Sequence, residues 1–296
     1  MKAKYINIFT DFGFIKIFGE EASKPLLIDF LTCLLPETKI VDLSFKDKEQ
    51  LGPSEQDRKA VFDLYCVNSN GERIIIELQR AKQNYFKDRT IYYSSFPIQE
   101  QAERGGWNYE LKAVYCVGIL DFAFDEKENT EVIHTVQLKN QNNQVFYDKL
   151  KYVYLELPHF NKTENQLDTR LDKWLYFIKN LEDFETIPEI FRDDVFIQAF
   201  EKAEIANYND AEKYRYQESL KVFRDNQNTF DYAMETAYNE GTNNGIEQGI
   251  EQGIIKGILE GKIEVAKNAM LLGLDIDSIM KLTGLSKQQI QELQII

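Results

Sequence analysis

The stretch Lys59–Arg80, KAVFDLYCVNSNGERIIIELQR, decides the fold. It holds two runs rich in β-branched and aromatic residues, Ala60–Val67 and Arg73–Gln79, around Asn68-Ser69-Asn70-Gly71, whose Asn-Gly pair is favoured in tight hairpin turns. The spacing predicts a β-hairpin. Because side chains alternate along a strand, Glu77 and Gln79 project from one face while Ile74, Ile76 and Leu78 fill the other. Asp63 sits between Phe62 and Leu64 in the first run, where an uncompensated carboxylate is costly. One compensator is a hard divalent cation, since Mg²⁺ takes carboxylate oxygens and keeps waters for a substrate. The competing reading is ordinary: an acid on a one-sided antiparallel sheet usually faces solvent, and the spacing of these residues alone decides little.

An Asp in one strand followed by E-x-K on the next is the signature of the PD-(D/E)XK nuclease superfamily, and Phe62-Asp63 followed by Glu77-Leu78-Gln79 resembles it. TDFGF at 10–14, IFG at 17–19, LLIDFLTCLLP at 26–36, IIIELQR at 74–80, Arg89 with Tyr92-Tyr93, and VYCVGILDF at 114–122 resemble the recombination-promoting nuclease (Rpn)/putative transposase family of that superfamily. The likeness covers most of the chain, tail included. Phe62 stands where the superfamily has Pro, a residue that lends backbone geometry and no ligand. Gln79 replaces the usual Lys, as in members of this family, and Ile15 precedes Lys16 where the first motif has Lys directly after DFGF.

The resemblance implies an α/β protein with a restriction-endonuclease-like mixed sheet flanked by helices, followed by an all-α C-terminal region. It implies a DNA endonuclease dependent on Mg²⁺ (or Mn²⁺) and associated with recombination or transposition. In it Asp63 and Glu77 ligate the metal, Gln79 positions the attacking water, and Asp11 or Glu20 is a further acid. The alternative is a non-catalytic DNA-binding or self-assembling protein on the same fold.

Composition bounds these readings. The 296 residues, 43% apolar and 13% aromatic, suffice for a folded core with an appendage. A net charge of −14 argues against a standing basic surface for nucleic acid, although Arg73, Arg80, Lys82, Lys87 and Arg89 make a local basic run. Cys33, Cys66 and Cys116 lie in apolar patterns without C-x-x-C spacing and read as reduced core residues. His134 and His159 are isolated in sequence and make no zinc motif. Neither an N-terminal apolar leader nor a run of about 18 apolar residues occurs, so a cytoplasmic protein without a membrane partner is expected.

Along the chain, Asp11, Phe12, Phe14, Ile17 and Phe18 follow helical spacing, with Asp11 as an N-cap or an active-site acid. Pro25 and Pro36 bracket a helix at 26–35, and 37–57 is charged and irregular. Residues 84–105 are helical, with Pro97 expected to interrupt them. On this helix Arg89 either grips phosphate in a guanidinium fork or pairs with Asp63 or Glu77, and Gln101 faces the site or solvent. Leu111–Phe122 reads as a central strand, with further strands at 131–138 and 151–157. These elements set a nuclease-like core at 1–160 and a helical extension at 161–240. At 241–262, Gly241, Gly245, Gly249, Gly253, Gly257 and Gly261 recur every four residues with an Ile after most of them, giving a linker or a helix. The repeat reads as a frayed spacer or as a homodimer contact allowing close helix approach. Residues 263–296 read as three short helices that resemble a helix-turn-helix (HTH), with Ser286 and Gln289 as a capping box and few cations for groove readout.

Overall fold

The computed structural model describes residues 3–47, 49–50, 60–102, 105–124 and 130–293, with the side chains of 49, 50 and 60 left aside. In chain order the elements are α1 (Asp11–Phe14), α2 (Lys24–Leu34), β1 (Leu43–Phe45), β2 (Glu49–Gln50), β3 (Ala60–Val61), β4 (Leu64–Asn68), β5 (Arg73–Gln79), α3 (Phe86–Gln99), β6 (Val114–Leu120), β7 (Ile133–Lys139), β8 (Val145–Glu156), α4 (Arg170–Asn180), α5 (Asp194–Ala203), α6 (Asp210–Leu271), α7 (Ile276–Thr283) and α8 (Lys287–Leu293). Residues 1–224 and 225–296 form two compact units, and α6 begins in the first and ends in the second.

The expected hairpin is β4–β5, antiparallel with Leu64 opposite Ile76 and Val67 opposite Arg73. Gly71, at φ 79°, takes the left-handed turn position that the Asn-Gly pair signals. The first run is not one strand. It breaks at Phe62-Asp63, between β3 and β4, because the Asp63 carboxylate itself accepts the Leu78 N–H at 2.7 Å.

Around the hairpin the sheet runs β1-β4-β5-β6-β8-β7. β6 is its centre, parallel to both β5 and β8 and buried at every residue, as expected of a strand covered on two faces. β1 lies in the segment read as irregular, since three residues give no periodicity to detect. β2 and β3 pair in a separate ribbon.

Each sheet face carries its own core. On one, Ile74, Ile76, Val117 and Leu155 pack with Phe18, Phe30, Trp174 and Phe200. On the other, Ile75, Cys116, Tyr152 and Tyr154 pack with Phe86 and Phe96 of α3. The aromatic helices after residue 160 thus share a core with the sheet, and the packing break falls at 224/225 rather than at 160/161.

Two local expectations met a different outcome, and for the glycine repeat the helix of the two alternatives is what forms. The N-cap of α1 is Thr10, whose hydroxyl accepts the Gly13 N–H at 3.0 Å, and Asp11 occupies the first turn. α3 runs through Pro97, which forfeits one hydrogen bond two residues before the helix ends. The glycine repeat is helical within α6: helix on either side spares the repeat its nucleation cost, and Ile, Glu and Gln fill the intervals.

In the second unit, Ala266, Ala269, Ile279, Leu285 and Ile290 form a small core. Asp275 caps α7 at its start, and Gly284, at φ 68°, closes it. The capping box before α8 forms, with Ser286 N–H donating to Gln289 Oε1 at 2.8 Å. No helix among the described residues is long and apolar enough to cross a membrane.

Candidate active site

The site is built on β5 and its neighbours. Extending the β4–β5 register by one pair sets Asp63 opposite Glu77, and the alternation puts Ile75, Glu77 and Gln79 on the face covered by α3. Glu77 Oε1 is buried and has no hydrogen-bond partner. Burial, then the charge of Asp63, raises the Glu77 carboxyl to about 8, against the opposing pull of Arg89 and the Asp63 backbone N–H.

Arg89 ties this face together. Its Nη2 donates to Gln79 Oε1 at 2.5 Å and its Nη1 to Gln83 Oε1 at 2.6 Å, while Gln79 Nε2 donates to Ala81 O at 3.0 Å. The guanidinium therefore meets amides rather than a carboxylate, and it also lies 5.4 Å above Phe86 and 5.8 Å above Tyr93.

α3 is held on the sheet by two hydroxyl pairs, Thr90–Tyr154 and Ser94–Tyr152, each at 2.8 Å. Gly118 is the register neighbour of Glu77 and Tyr154, and a Cβ there would meet Tyr154 Cδ1 at 2.8 Å. A cavity of about 10 Å³ lies among Glu77, Arg89, Tyr93, Cys116, Gly118 and Tyr154. Periodicity and motif spacing single out none of Gly118, Thr90, Tyr152 and Tyr154. A glycine inside the apolar run VYCVGIL was the available signal of a close approach.

The other candidates lie elsewhere. Glu20 accepts from Lys16 at 3.1 Å and from Lys202 at 3.2 Å. Lys16 also reaches Glu212 at 2.7 Å, so the lysine displaced in the first motif joins this ion-pair group. Asp11 acts with Asp121 on Arg80, whose pKa burial lowers and these acids raise. Arg80 donates to Phe223 O at 3.1 Å with its guanidinium 3.3 Å from the centre of the Phe223 ring. Gln101 joins the end of α3 to the approach to β6, accepting the Lys112 N–H at 2.7 Å and donating to Pro97 O at 3.0 Å. The two histidines, distant in sequence, approach one carboxylate: His134 Nε2 is 3.3 Å and His159 Nδ1 3.1 Å from buried Glu156.

Among the described residues, no three or more His, Cys, Asp and Glu side chains are grouped to hold a metal ion. Asp63 and Glu77 would be the carboxylates of any cation at this site. A buried carboxylate oxygen without a donor, beside a second acid, is the kind of oxygen ligand a hard cation takes.

No curated protein and no solved structure matches the chain. Residues 259–295 match the model of the Rpn/YhgA-like nuclease family, C-terminal HTH domain, which gives the helices of the second unit their type. Residues 8–233, most of the chain and all of the sheet with its covering helices, match the model of the PD-(D/E)XK nuclease family transposases, and to that family the protein belongs.

Proposed function

We propose that the protein is a DNA endonuclease of the cytoplasm, dependent on Mg²⁺ or Mn²⁺, that hydrolyses phosphodiester bonds in recombination or transposition. The observation that carries this reading is Glu77: a carboxylate with one buried, donorless oxygen, pushed towards its neutral form by burial and by Asp63. Asp63 and Glu77 would hold the cation, which when bound supplies Lewis-acid polarisation of the phosphodiester and a more acidic water.

The remaining work falls to the protein's own groups. Gln79 Oε1 accepts from Arg89 and has a second lone pair with which to orient an attacking water. An amide carries no charge, and Arg89 brings the missing positive charge to the same atom. Its planar fork also matches a phosphate, an exchange of partners that frees the guanidinium from Gln83. The Thr90 and Ser94 pairs fix α3, and with it Arg89, over β5.

A plasmid-nicking assay with Mg²⁺, comparing wild type with Asp63→Ala and Glu77→Ala, tests the proposal, together with thermal unfolding as Mn²⁺ is added. Loss of nicking and of the Mn²⁺-induced rise in Tm in both variants supports it. Equal cleavage by all three proteins overturns it.

A second reading, DNA attachment and self-association without cleavage, draws on the HTH match and on the exposed stripe of α6. Ile246, Ile250, Ile254 and Ile258 are 56–58% exposed, and the Cβ positions of the six repeat glycines are open. A homodimer through this stripe would lose mass in light scattering on Ile250→Glu with Ile254→Glu, and an unchanged mass would remove the stripe from the contact.

A further inference from the structure

The protein carries fourteen more negative than positive charges, yet the stretch Arg80–Arg89, RAKQNYFKDR, has four cations against one acid. It leads from the end of β5 into α3, and its side chains adjoin the candidate site. Gln83 shares Arg89 with Gln79, and the Arg89 N–H donates to Tyr85 O at 2.9 Å. Lys82 Nζ donates to Phe124 O at 2.5 Å, and Lys87 Nζ lies 4.8 Å from the centre of the Phe124 ring, so both ammonium groups gather at one place.

Between Lys82 and Lys87 in this stretch stands Tyr85. It is 80% exposed, and its φ of 62° is a left-handed conformation unfavourable to a bulky side chain. None of the aromatic pairs of the described residues includes it, so packing within the unit does not account for the ring. An exposed phenol in a stretch that also bears ammonium and guanidinium groups is the chemistry that holds a nucleic-acid strand: the cations meet phosphates and the ring meets the face of a base. In a duplex both faces of each base are already covered, whereas an unpaired base has a face to offer.

We propose that Tyr85 is a stacking platform for an unpaired nucleotide, with Lys82, Lys87 and Arg89 holding the flanking phosphates. It rests on the endonuclease reading only in placing that nucleotide beside the bond to be cleaved. The substrate class is then DNA with a single-stranded segment, such as an overhang, bubble or displaced strand, in preference to an intact duplex.

The test is binding in EDTA, which excludes cleavage. Full-length wild type, Tyr85→Phe and Tyr85→Asn are titrated into a single-stranded oligonucleotide containing 2-aminopurine, whose fluorescence falls on stacking, and into the fully paired duplex of the same sequence. Asn suits a left-handed φ, so this change removes the ring without adding strain, and unfolding curves confirm that each variant is folded.

Expected are tighter binding of the single strand than of the duplex by wild type, and Tyr85→Phe within twofold of it. Tyr85→Asn binds the single strand about tenfold more weakly, with the quenching lost, while its duplex binding changes less than twofold. The proposal is overturned if Tyr85→Asn binds and quenches like wild type, if duplex and single strand lose affinity equally, or if wild type binds neither. The last outcome would assign the patch to a protein partner. Failure of plasmid nicking with this binding pattern intact would remove the catalytic reading and leave the stacking site standing.

Discussion

At the scale of single residues, Glu77 and its surroundings dictate a pH dependence. Its carboxyl is raised from an ordinary 4.5 to about 8, with burial the larger cause and Asp63 the next. The folded protein therefore holds this proton more tightly than the unfolded chain does. The associated stability is fully present below pH 4.5 and is lost as pH rises through 8. Glu77→Gln cannot ionise and escapes that loss. In metal-free buffer its stability relative to wild type should climb between pH 5 and pH 9, reaching about 2–4 kcal/mol. Thermal unfolding at the two pH values checks this, and a gap that stays constant would mean that burial does not act on Glu77 as described. The shared face of Glu77 and Gln79 was legible in the sequence, because a period of two needs no tertiary information. The use of Asp63 as acceptor for Leu78 N–H was not, since it depends on the chain bending just where the acid falls. The partner of Arg89 was equally hidden: a helix pattern does not say which groups of a sheet its side chains reach, and here they reach amides.

At the scale of elements, the seat of α3 is the adjustable part. Two hydroxyl pairs hold it to β8, and Gly118 gives Tyr154 the room to make one of them. Tyr154→Phe removes one of the two hydrogen bonds of the Thr90 hydroxyl, which still donates to Lys87 O, and should cost about 1 kcal/mol in denaturant unfolding. Gly118→Ala forces a methyl against the Tyr154 ring and should cost more, about 2–3 kcal/mol, by displacing ring and helix together. Under the proposed function both changes lower the rate of nicking, Gly118→Ala the more, because Arg89 rides on the element that shifts. Nicking at wild-type rate by a Gly118→Ala protein with the expected stability loss would separate α3 from the chemistry. Strands β4, β5 and β6 were readable from composition and alternation, but β1 was not, as its three residues take their conformation from pairing with β4. α6 shows the opposite limit. Per-residue propensity marks the glycine repeat as weak helix, whereas a helix already formed at each end continues through it.

At the scale of the whole molecule, charge sets how DNA can be held. The net charge of −14 repels a polyanion at long range, so any attraction has to come from a few local cations. The HTH helix α8 supplies little, with Lys287 near its start and Glu292 near its end, and under the proposed function Lys82, Lys87 and Arg89 beside the candidate site are the source. Each phosphate neutralised in duplex DNA contributes about −0.9 to the slope of log K against log salt, so two or three contacts give a slope near −2 or −3. The net repulsion, which salt screens, flattens that slope further. Anisotropy titrations of duplex DNA from 50 to 300 mM KCl should therefore return a slope no steeper than about −3. Lys82→Gln and Lys87→Gln should each reduce its magnitude by about 0.9. A slope of about −6 or steeper would require a broad basic surface, which a chain of this composition can supply only by gathering cations remote in sequence. Magnesium adds a diagnostic of its own: a competing cation ordinarily weakens DNA binding, whereas one held by Asp63 and Glu77 would bring positive charge to the point of contact. Millimolar Mg²⁺ should therefore tighten binding by wild type, measured at constant ionic strength on a phosphorothioate duplex to suppress cleavage. The tightening should vanish in the Asp63→Ala and Glu77→Ala variants, and its persistence there would put the cation's effect elsewhere on the protein.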